Sequence, residues 1–306
     1  MRVAFFGTPE FAVPSLRALL EEGFEVVAVI TQPDRPHGRS RSVLIPPPVK
    51  TVALEEGLLV LQPERPVGPF VAEFQALGTD IGAVVAYGHI LPPELLALPR
   101  LGMLNVHASL LPALRGAAPI QWAILNGDEM TGVSIMQLEA GLDTGPVLHS
   151  IVTEVASDET GGELTERLAE LGAAALIEAL TLIEGGEAQP RPQDHSRATY
   201  APKVSRQTAR LDWGKDAASL ARAIRAFDPE PGAWALLDGQ EVKLFGARAA
   251  NGSGEPGTIL QSEKLLRIAA LVGAVEVSEI QPAGKKRMPV SDWLRGVGGA
   301  ASHRFT

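Results

Sequence analysis

The 306-residue sequence contains no cysteine. That absence excludes disulfides, thiolate zinc sites and a cysteine nucleophile, and it is typical of proteins in a reducing compartment. No apolar run reaches the roughly 20 residues that a membrane helix needs. The start Met1-Arg2-Val3-Ala4-Phe5-Phe6 lacks the cleavage region of a signal peptide. We therefore expect a cytoplasmic protein without a membrane partner.

The sequence also lacks the G-x-G-x-x-G fingerprint of dinucleotide-binding proteins. Val3–Phe6 and Val26–Ile30 have the apolar pattern of buried strands, and Glu10–Leu20 between them has the pattern of a helix. Strand, helix and strand in this order predict a parallel sheet. The turn after the first strand holds a single glycine, Gly7, so we predict a Rossmann-like sheet that does not bind NAD. No cluster of metal ligands stands out, and we expect no metal.

Positive charge is scarce in most of the chain. The net charge is −9, but residues 1–199 carry 12 Lys and Arg against 25 Asp and Glu, whereas residues 200–306 carry 15 against 11. The first part is thus at −13 and the second at +4. Such an asymmetry indicates a polyanion-binding part attached to an acidic one, and a solvated basic face is the alternative.

One strongly basic segment interrupts the acidic part of the chain. Residues Asp34–Lys50 contain Arg35, Arg39, Arg41 and Lys50, opposed by a single aspartate. The prolines and the glycine of this segment predict a long loop without regular structure. A loop of that length within a domain is either functional or a plain solvated turn.

The pattern changes after a long helix predicted at Glu163–Glu184. The polar, proline-rich residues Gln189–Arg197 are typical of a linker. We predict a first domain at residues 1–188, a linker at 189–206 and a second domain at 207–306. In the second domain a helix at Ala217–Phe227 precedes short strands that predict a small β-barrel. These strands are Ala233–Leu237, Val242–Phe245, Gly257–Leu260, Leu265–Ala269 and Ala274–Ile280.

Candidate functional residues lie where predicted strands end. The strand Asp80–Tyr87 ends in Tyr87-Gly88, and the strand Gly102–His107 runs into His107-Ala108-Ser109. In open α/β sheets, ligands bind beyond the carboxyl ends of the strands. We therefore expect these two ends to converge on one site with the turn at Asp143.

Asn105, His107 and Asp143 have the chemistry of a catalytic group. Asn105 and His107 are two residues apart in a strand, so their side chains share a face. An amide and an imidazole can stabilise a negative oxygen, and a carboxylate such as Asp143 can carry a proton. The alternative is that a strand-end histidine and a turn aspartate have structural roles only.

Longer motifs around these residues resemble those of the folate-dependent formyltransferases. The resemblance is carried by Asn105-Val106-His107-Ala108-Ser109-Leu110-Leu111-Pro112, Arg115-Gly116-Ala117-Ala118-Pro119-Ile120 and Gly141-Leu142-Asp143-Thr144-Gly145. It extends along the chain in Phe6-Gly7-Thr8-Pro9-Glu10-Phe11-Ala12, Thr31-Gln32-Pro33-Asp34-Arg35-Pro36, Tyr200-Ala201-Pro202-Lys203, Arg225-Ala226-Phe227 and Pro282-Ala283-Gly284-Lys285-Lys286. The C-terminal motifs resemble those of family members that act on tRNA.

The resemblance implies a fold and an activity. The fold would be α/β, with a Rossmann-like, mostly parallel sheet domain followed by a smaller OB-like β-barrel domain. The activity would be transfer of a formyl group from 10-formyltetrahydrofolate to the amino group of methionine on initiator tRNA, and we expect a monomer. Two alternatives stay open. One is a formyltransferase or hydrolase that uses the same folate with a small acceptor or water, and the other is a non-catalytic nucleic-acid-binding protein.

The resemblance also implies residue roles. Asn105, His107 and Asp143 would be the catalytic residues. The folate site would be bordered by Ser109, Leu110, Leu111, Pro112, Tyr87 and Gly88. The tRNA would be bound by Arg35, Arg39, Arg41, Lys50, Lys203, Lys285 and Lys286. Two positions depart from the family pattern: Arg39-Ser40-Arg41-Ser42 stands where a lysine pair is expected, and His89, to which we assign no role, follows Gly88.

Overall fold

A computed structural model describes residues 1–37, 43–262, 264–297 and 303–306. The chain divides into two compact units. The first comprises Met1–Gly116, Thr131–Thr153 and Thr165–Tyr200, and the second comprises Ala117–Met130, Glu154–Leu164 and Ala201–Thr306. The sequence did not predict that the two short inner segments group with the C-terminal residues. The domain bounds given above for 1–188, 189–206 and 207–306 stay a prediction.

The first unit is built on a seven-stranded sheet. Its strands lie in the order β5-β2-β1-β6-β7-β8-β9. Neighbours from β5 to β7 are parallel, and β8 is antiparallel to β7. The α/β, Rossmann-like class is thereby confirmed. The strands of this sheet are β1 Arg2–Gly7, β2 Glu25–Ile30, β5 Val60–Leu61, β6 Ile81–Val85, β7 Met103–His107, β8 Met130–Gln137 and β9 Val147–Glu154.

Helices connect these strands, and most of them begin with proline, whose fixed φ suits the first turn. The first helix, α1, follows a short 3-10 turn at Glu10–Ala12. Helix α6 is the longest at 24 residues. Within the described ranges, no helix is both long enough and apolar enough to cross a membrane. The helices up to this point are α1 Val13–Glu21, α2 Pro48–Glu55, α3 Pro69–Ala76, α4 Pro93–Leu96, α5 Pro119–Asn126 and α6 Gly161–Glu184.

The basic segment contains a β-hairpin, so the prediction that it has no regular structure is wrong. Strand β3 (Arg35–His37) pairs with strand β4 (Val43–Ile45) in antiparallel register, with Arg35 opposite Ile45. A two-stranded ribbon tolerates Pro36 because a strand with one partner needs only part of its hydrogen-bond donors. The prolines that argued against a strand therefore limit the ribbon to two strands.

The second unit combines an antiparallel sheet with two further helices. Helix α7 (Ala217–Ala226) begins at Asp216, whose carboxylate accepts a hydrogen bond of 2.9 Å from the backbone of Ser219. The apolar face of α5 packs against α7. The sheet has the order β10-β11-β14-β13-β12, with β15 paired to β14. The remaining elements are β10 Ala233–Leu237, β11 Gln240–Ala250, β12 Ile259–Ser262, β13 Leu266–Ala269, β14 Ala274–Pro282, β15 Met288–Pro289 and α8 Val290–Val297.

The last residues of the chain join the two edges of this second sheet. Thr306 and Leu236 of β10 exchange two backbone hydrogen bonds of 2.8 and 2.9 Å. Phe305 donates its backbone N–H to Gly257, just before β12, at 2.9 Å, and its ring is 1% exposed. Strands β10 and β12 are the outer strands of the sheet, so the C-terminal residues close it in the manner of a barrel and satisfy its open edges.

Candidate active site

Strand β7 places Asn105 and His107 at one end of the first sheet. Asn105 lies opposite Val84 of β6 and Met136 of β8, and His107 lies opposite Ser134. The two side chains share a face because they are two residues apart. The Asn105 side chain is half-buried and makes no hydrogen bond to the part of the chain that the structure describes. Its amide is therefore available to a bound molecule.

The environment of His107 fixes the position of its proton. Its Nε2 lies 3.0 Å from the backbone oxygen of Leu114, and its Nδ1 lies 3.8 Å from Oδ2 of Asp143. A carbonyl oxygen only accepts hydrogen bonds, so Nε2 carries a hydrogen and donates it to Leu114. The ring nitrogen that faces Asp143 is then free to take up a proton. A proton there would lie beside a carboxylate, which stabilises positive charge on the ring.

Asp143 is held by the chain that follows β7. Its Oδ2 accepts a hydrogen bond of 2.8 Å from the backbone N–H of Gly116. Its side chain is 13% exposed. The residue has a φ of 50°, a left-handed conformation that few non-glycine residues adopt. The carboxylate is thus oriented by one backbone donor and lies beside the imidazole, as the sequence predicted for the group.

The structure adds two buried residues that sequence analysis did not assign. Arg115 and Gln193 are 3% and 8% exposed. The Arg115 guanidinium donates to the side-chain oxygen of Gln193 at 3.1 and 2.6 Å. The amide nitrogen of Gln193 in turn donates to the backbone oxygens of Asp143 and Gly145 at 2.9 and 2.7 Å. Arg115 stood in a motif quoted above, whereas Gln193 lay in a segment that we had interpreted as linker.

The loop predicted to border the folate is braced from within. The Ser109 hydroxyl donates to the backbone of Ala113 at 2.6 Å, and the backbone oxygen of Ser109 accepts from Ser134 at 2.8 Å. Ser109 is therefore buried and internally bonded. The next three residues are half-exposed and remain available for contact with a ligand: Leu110, Leu111 and Pro112.

Tyr87 and Gly88 lie at the end of the neighbouring strand β6. The Tyr87 ring belongs to the apolar core, with its centroid 5.4 Å from that of Phe6, and burial raises the pKa of Tyr87 to about 12. Its backbone oxygen accepts hydrogen bonds from Thr8 at 3.0 Å and from Gln32 at 2.9 Å. At Gly88, φ is 85° and a Cβ would lie 2.4 Å from the Gln32 amide nitrogen. At Tyr87, therefore, backbone atoms and not the ring can contact a ligand.

A cavity of about 420 Å³ opens beyond the ends of β1, β2 and β6. Its walls come from these strand ends and from the β3–β4 hairpin, and they are largely proline. Its polar lining includes Thr8, Gln32 and Arg35. The Arg35 guanidinium is hydrogen-bonded to the side chain of Gln32, which itself holds the Tyr87 backbone. The cavity lies at the edge of the sheet where ligands bind in open α/β folds.

The predicted tRNA-binding cations of the first unit differ in their environments. Arg35 is exposed. Lys50 contacts both carboxylate oxygens of Asp34 at 2.8 Å, and its side chain is 20% exposed. Hydrogen bonds from Gln62 and then from Lys50 hold the pKa of Asp34 below its usual range. Lys50 is thus paired within the chain, while Arg39 and Arg41 lie outside the described residues.

The predicted cations of the second unit are exposed. Lys203, Lys285 and Lys286 all face solvent. The next residue, Arg287, behaves differently, because it donates to Asp228 at 2.6 and 3.2 Å and lies 4.1 Å from the centroid of the Phe245 ring. Of the three consecutive cations, Arg287 therefore stabilises the fold, whereas Lys285 and Lys286 lie on the surface. The described residues contain no group of three or more side chains arranged to hold a metal ion.

Comparisons with known proteins identify the family of the chain. Residues 1–180 match the family described as Formyl transferase, and residues 203–298 match Formyl transferase, C-terminal domain. In fold, the chain is similar to HypX from Aquifex aeolicus, solved in complex with tetrahydrofolic acid, with a TM-score of 0.66 and 22% identity. That match covers 96% of this chain and 47% of HypX, so this chain spans about half the length of HypX. The class of protein defined in this way is that of the formyl transferases.

Curated relatives narrow the class. The methionyl-tRNA formyltransferase of Paracoccus denitrificans is 49% identical over 298 residues, which cover 97% of this chain and 98% of that protein. The methionyl-tRNA formyltransferase of Citrifermentans bemidjiense is 45% identical over 298 residues, which cover 97% of this chain and 93% of that protein. The chain belongs to the methionyl-tRNA formyltransferase family.

Proposed function

We propose that the protein transfers a formyl group from 10-formyltetrahydrofolate to the amino group of methionine on initiator tRNA. The observation that carries the proposal is the group at the end of β7. There an amide without a partner among the described residues shares a strand face with an imidazole, and that imidazole lies 3.8 Å from a carboxylate, in a chain of the formyl transferase family. One chain supplies all three residues, so the reaction needs no second subunit, and we propose a monomer that acts in the cytoplasm.

The donor site fits the residues around this group. The Asn105 amide can bind the formyl oxygen, and Leu110, Leu111 and Pro112 offer half-exposed apolar contacts for a flat ring system. When bound, the folate supplies the formyl carbon that the methionine nitrogen attacks. In this arrangement the new C–N bond forms to methionine, and the bond from the formyl carbon to the folate nitrogen breaks.

His107 and Asn105 stabilise the oxygen that becomes negative during the attack. Because the Nε2 hydrogen of His107 is directed at Leu114, the ring donates to substrate only from a protonated Nδ1. Asp143, 3.8 Å from that nitrogen, stabilises the resulting positive charge. Positioned donors of this kind contribute roughly 3–4 kcal/mol each to the barrier.

Asp143 moves the proton that the reaction must relocate. The attacking amine loses a proton, and the departing folate nitrogen gains one. A carboxylate within reach, directly or through one water, can accept the first and supply the second. Gly116 holds Oδ2 of Asp143 in place for this role.

The tRNA is held by cations on both units. Lys203, Lys285 and Lys286 of the second unit and Arg35, Arg39 and Arg41 of the first are the residues that we propose contact phosphates. Lys50 contributes indirectly, because its ion pair with Asp34 anchors the chain beside the hairpin. The second unit, which includes the positively charged C-terminal part, provides sequence-independent affinity for the RNA backbone.

The test compares four acceptors under one set of conditions. The protein is incubated with 10-formyltetrahydrofolate and either initiator Met-tRNA, elongator Met-tRNA, free methionine or buffer alone. We expect formyl-methionine on the initiator tRNA and little product elsewhere. Formylation of free methionine, or folate hydrolysis in buffer at a similar rate, would favour the small-acceptor alternative. Binding of tRNA without any turnover would favour a non-catalytic RNA-binding protein.

A further inference from the structure

The turn that carries Asp143 needs an external support. Its φ of 50° is a conformation that a non-glycine residue adopts reluctantly. The turn is also tightly confined, since a Cβ at Gly145 would lie 1.8 Å from the backbone oxygen of Gln137. A strained backbone persists only where the surrounding structure determines it. A group outside the turn that binds its backbone therefore helps to keep Asp143 in this conformation.

Gln193 supplies that group. The two hydrogens of its side-chain amide are directed at the backbone oxygens of Asp143 and Gly145, at 2.9 and 2.7 Å. These oxygens lie on either side of Thr144, so one side chain spans the turn. The hydrogen bond to Gly145 is buried and the one to Asp143 is partly buried.

Arg115 fixes the direction in which the Gln193 amide points. Its Nε and one terminal nitrogen both donate to the side-chain oxygen of Gln193. The flipped amide would place N–H groups against the guanidinium and an oxygen against two carbonyl oxygens, which leaves donors facing donors and acceptors facing acceptors. Gln193 therefore has one satisfied orientation, and in that orientation it donates to the turn.

The same stretch of chain holds Asp143 from its other side. Arg115 immediately precedes Gly116, whose backbone N–H binds Oδ2 of Asp143 at 2.8 Å. The backbone of Arg115 is itself held by a hydrogen bond of 2.9 Å to Thr199. Arg115-Gly116 thus holds both parts of Asp143: the carboxylate directly through Gly116, and the backbone through Arg115 and Gln193.

We propose that Gln193 is a positioning residue, which Arg115 orients so that its amide holds the Asp143 turn in the geometry needed for proton transfer. The inference rests on the proposed function, in which Asp143 moves a proton. It predicts that removal of the two hydrogen bonds that Gln193 donates lowers kcat more than it changes KM. A misplacement of about 1 Å in a reacting group can cost about 10²-fold in rate, so we expect a decrease of about 10- to 100-fold.

Two substitutions separate this role from simple stability. Gln193→Glu keeps the size and the acceptor for Arg115 but removes both hydrogen-bond donors. Gln193→Met removes donors and acceptor together. As a matched control, Arg2→Met removes hydrogen bonds to the backbone oxygens of Leu77 and Gly78 at the opposite end of the strands. We expect both Gln193 variants to have a lower kcat with KM for both substrates within about threefold, and the control to keep its kcat.

A double-mutant cycle with Asp143→Ala completes the test. If Gln193 acts through Asp143, Gln193→Glu lowers kcat in the native background and has no further effect when Asp143 is alanine. Equal decreases in both backgrounds, or full kcat in a folded Gln193→Glu protein, would overturn the positioning role. Full kcat in Asp143→Ala alone would instead overturn the proposed function. The two failures are therefore distinguishable.

Discussion

Replacement of Asp143 by asparagine should reveal how much its charge contributes to catalysis. The asparagine keeps the size of the side chain, and its amide oxygen can still accept the hydrogen bond from Gly116. What disappears is the negative charge 3.8 Å from Nδ1 of His107. The variant therefore removes the charge while preserving most of the geometry.

The size of the effect follows from this distance. Two unit charges 3.8 Å apart interact by about 4 kcal/mol at an effective dielectric constant of about 20. Both side chains are largely buried, at 6% and 13% exposure, so screening by solvent is limited. A difference of about 4 kcal/mol corresponds to about 10³-fold in rate. We expect kcat to fall by about this factor, with KM for tRNA and folate nearly unchanged.

The assay is single-turnover formylation of initiator Met-tRNA at saturating folate. Thermal unfolding of the same samples shows whether the variant is folded. The second arm compares His107→Ala with the double variant, because a charge that acts through His107 has little left to act on once the ring is gone. A folded Asp143→Asn protein within tenfold of the native kcat would refute the reasoning. Decreases from the two residues that simply multiply would show that Asp143 acts only on the moving proton and not through a charge on His107.

Two further predictions concern the second unit. Lys285→Ala combined with Lys286→Ala should reduce the slope of log affinity for tRNA against log salt by about 0.7–0.9 for each phosphate that is no longer neutralised. The control Lys215→Ala should leave this slope unchanged. Equal slopes in the native protein, the double variant and the control would show that the lysine pair does not contact the tRNA. Phe305→Ala should lower the free energy of unfolding by about 3–5 kcal/mol, as for other buried aromatic residues. The control Leu271→Ala, at an exposed position, should change it by no more than about 0.5 kcal/mol. Urea titrations measure the stability of both variants, and similar midpoints for the two would contradict the closure of the barrel by Phe305.

Sequence patterns predicted best where local chemistry decides the structure. Strand β10 has the predicted bounds Ala233–Leu237 because all five residues are apolar and the turn residues Asp238-Gly239 follow. Both turn residues have positive φ, at 51° and 79°, as a tight hairpin requires. The β3–β4 hairpin was missed because its prolines argue against strands in general, although a two-stranded ribbon accommodates them.

Only part of the candidate site could be predicted from the sequence, and the reason differs from the one that applies to the β3–β4 hairpin. Asn105 and His107 are two residues apart in one strand, so their shared face follows from sequence spacing alone. The partner of the His107 Nε2 is a backbone oxygen of Leu114, and any residue at that position would offer the same atom. Gln193 reaches the Asp143 turn from 50 residues away, out of a segment whose prolines and polar residues are typical of linkers. No local pattern encodes such an interaction.

The grouping of α5 with the C-terminal part of the chain has a consequence for synthesis on the ribosome. Helix α5 buries Ile120, Ala123 and Ile124, and its partner α7 ends at Ala226, about 100 residues later. At about 5–20 residues per second, the apolar face of α5 waits roughly 5–20 s for its partner. A fragment that ends in the predicted linker would expose that face permanently. A soluble version of that fragment would therefore need polar residues in place of Ile120 and Ile124.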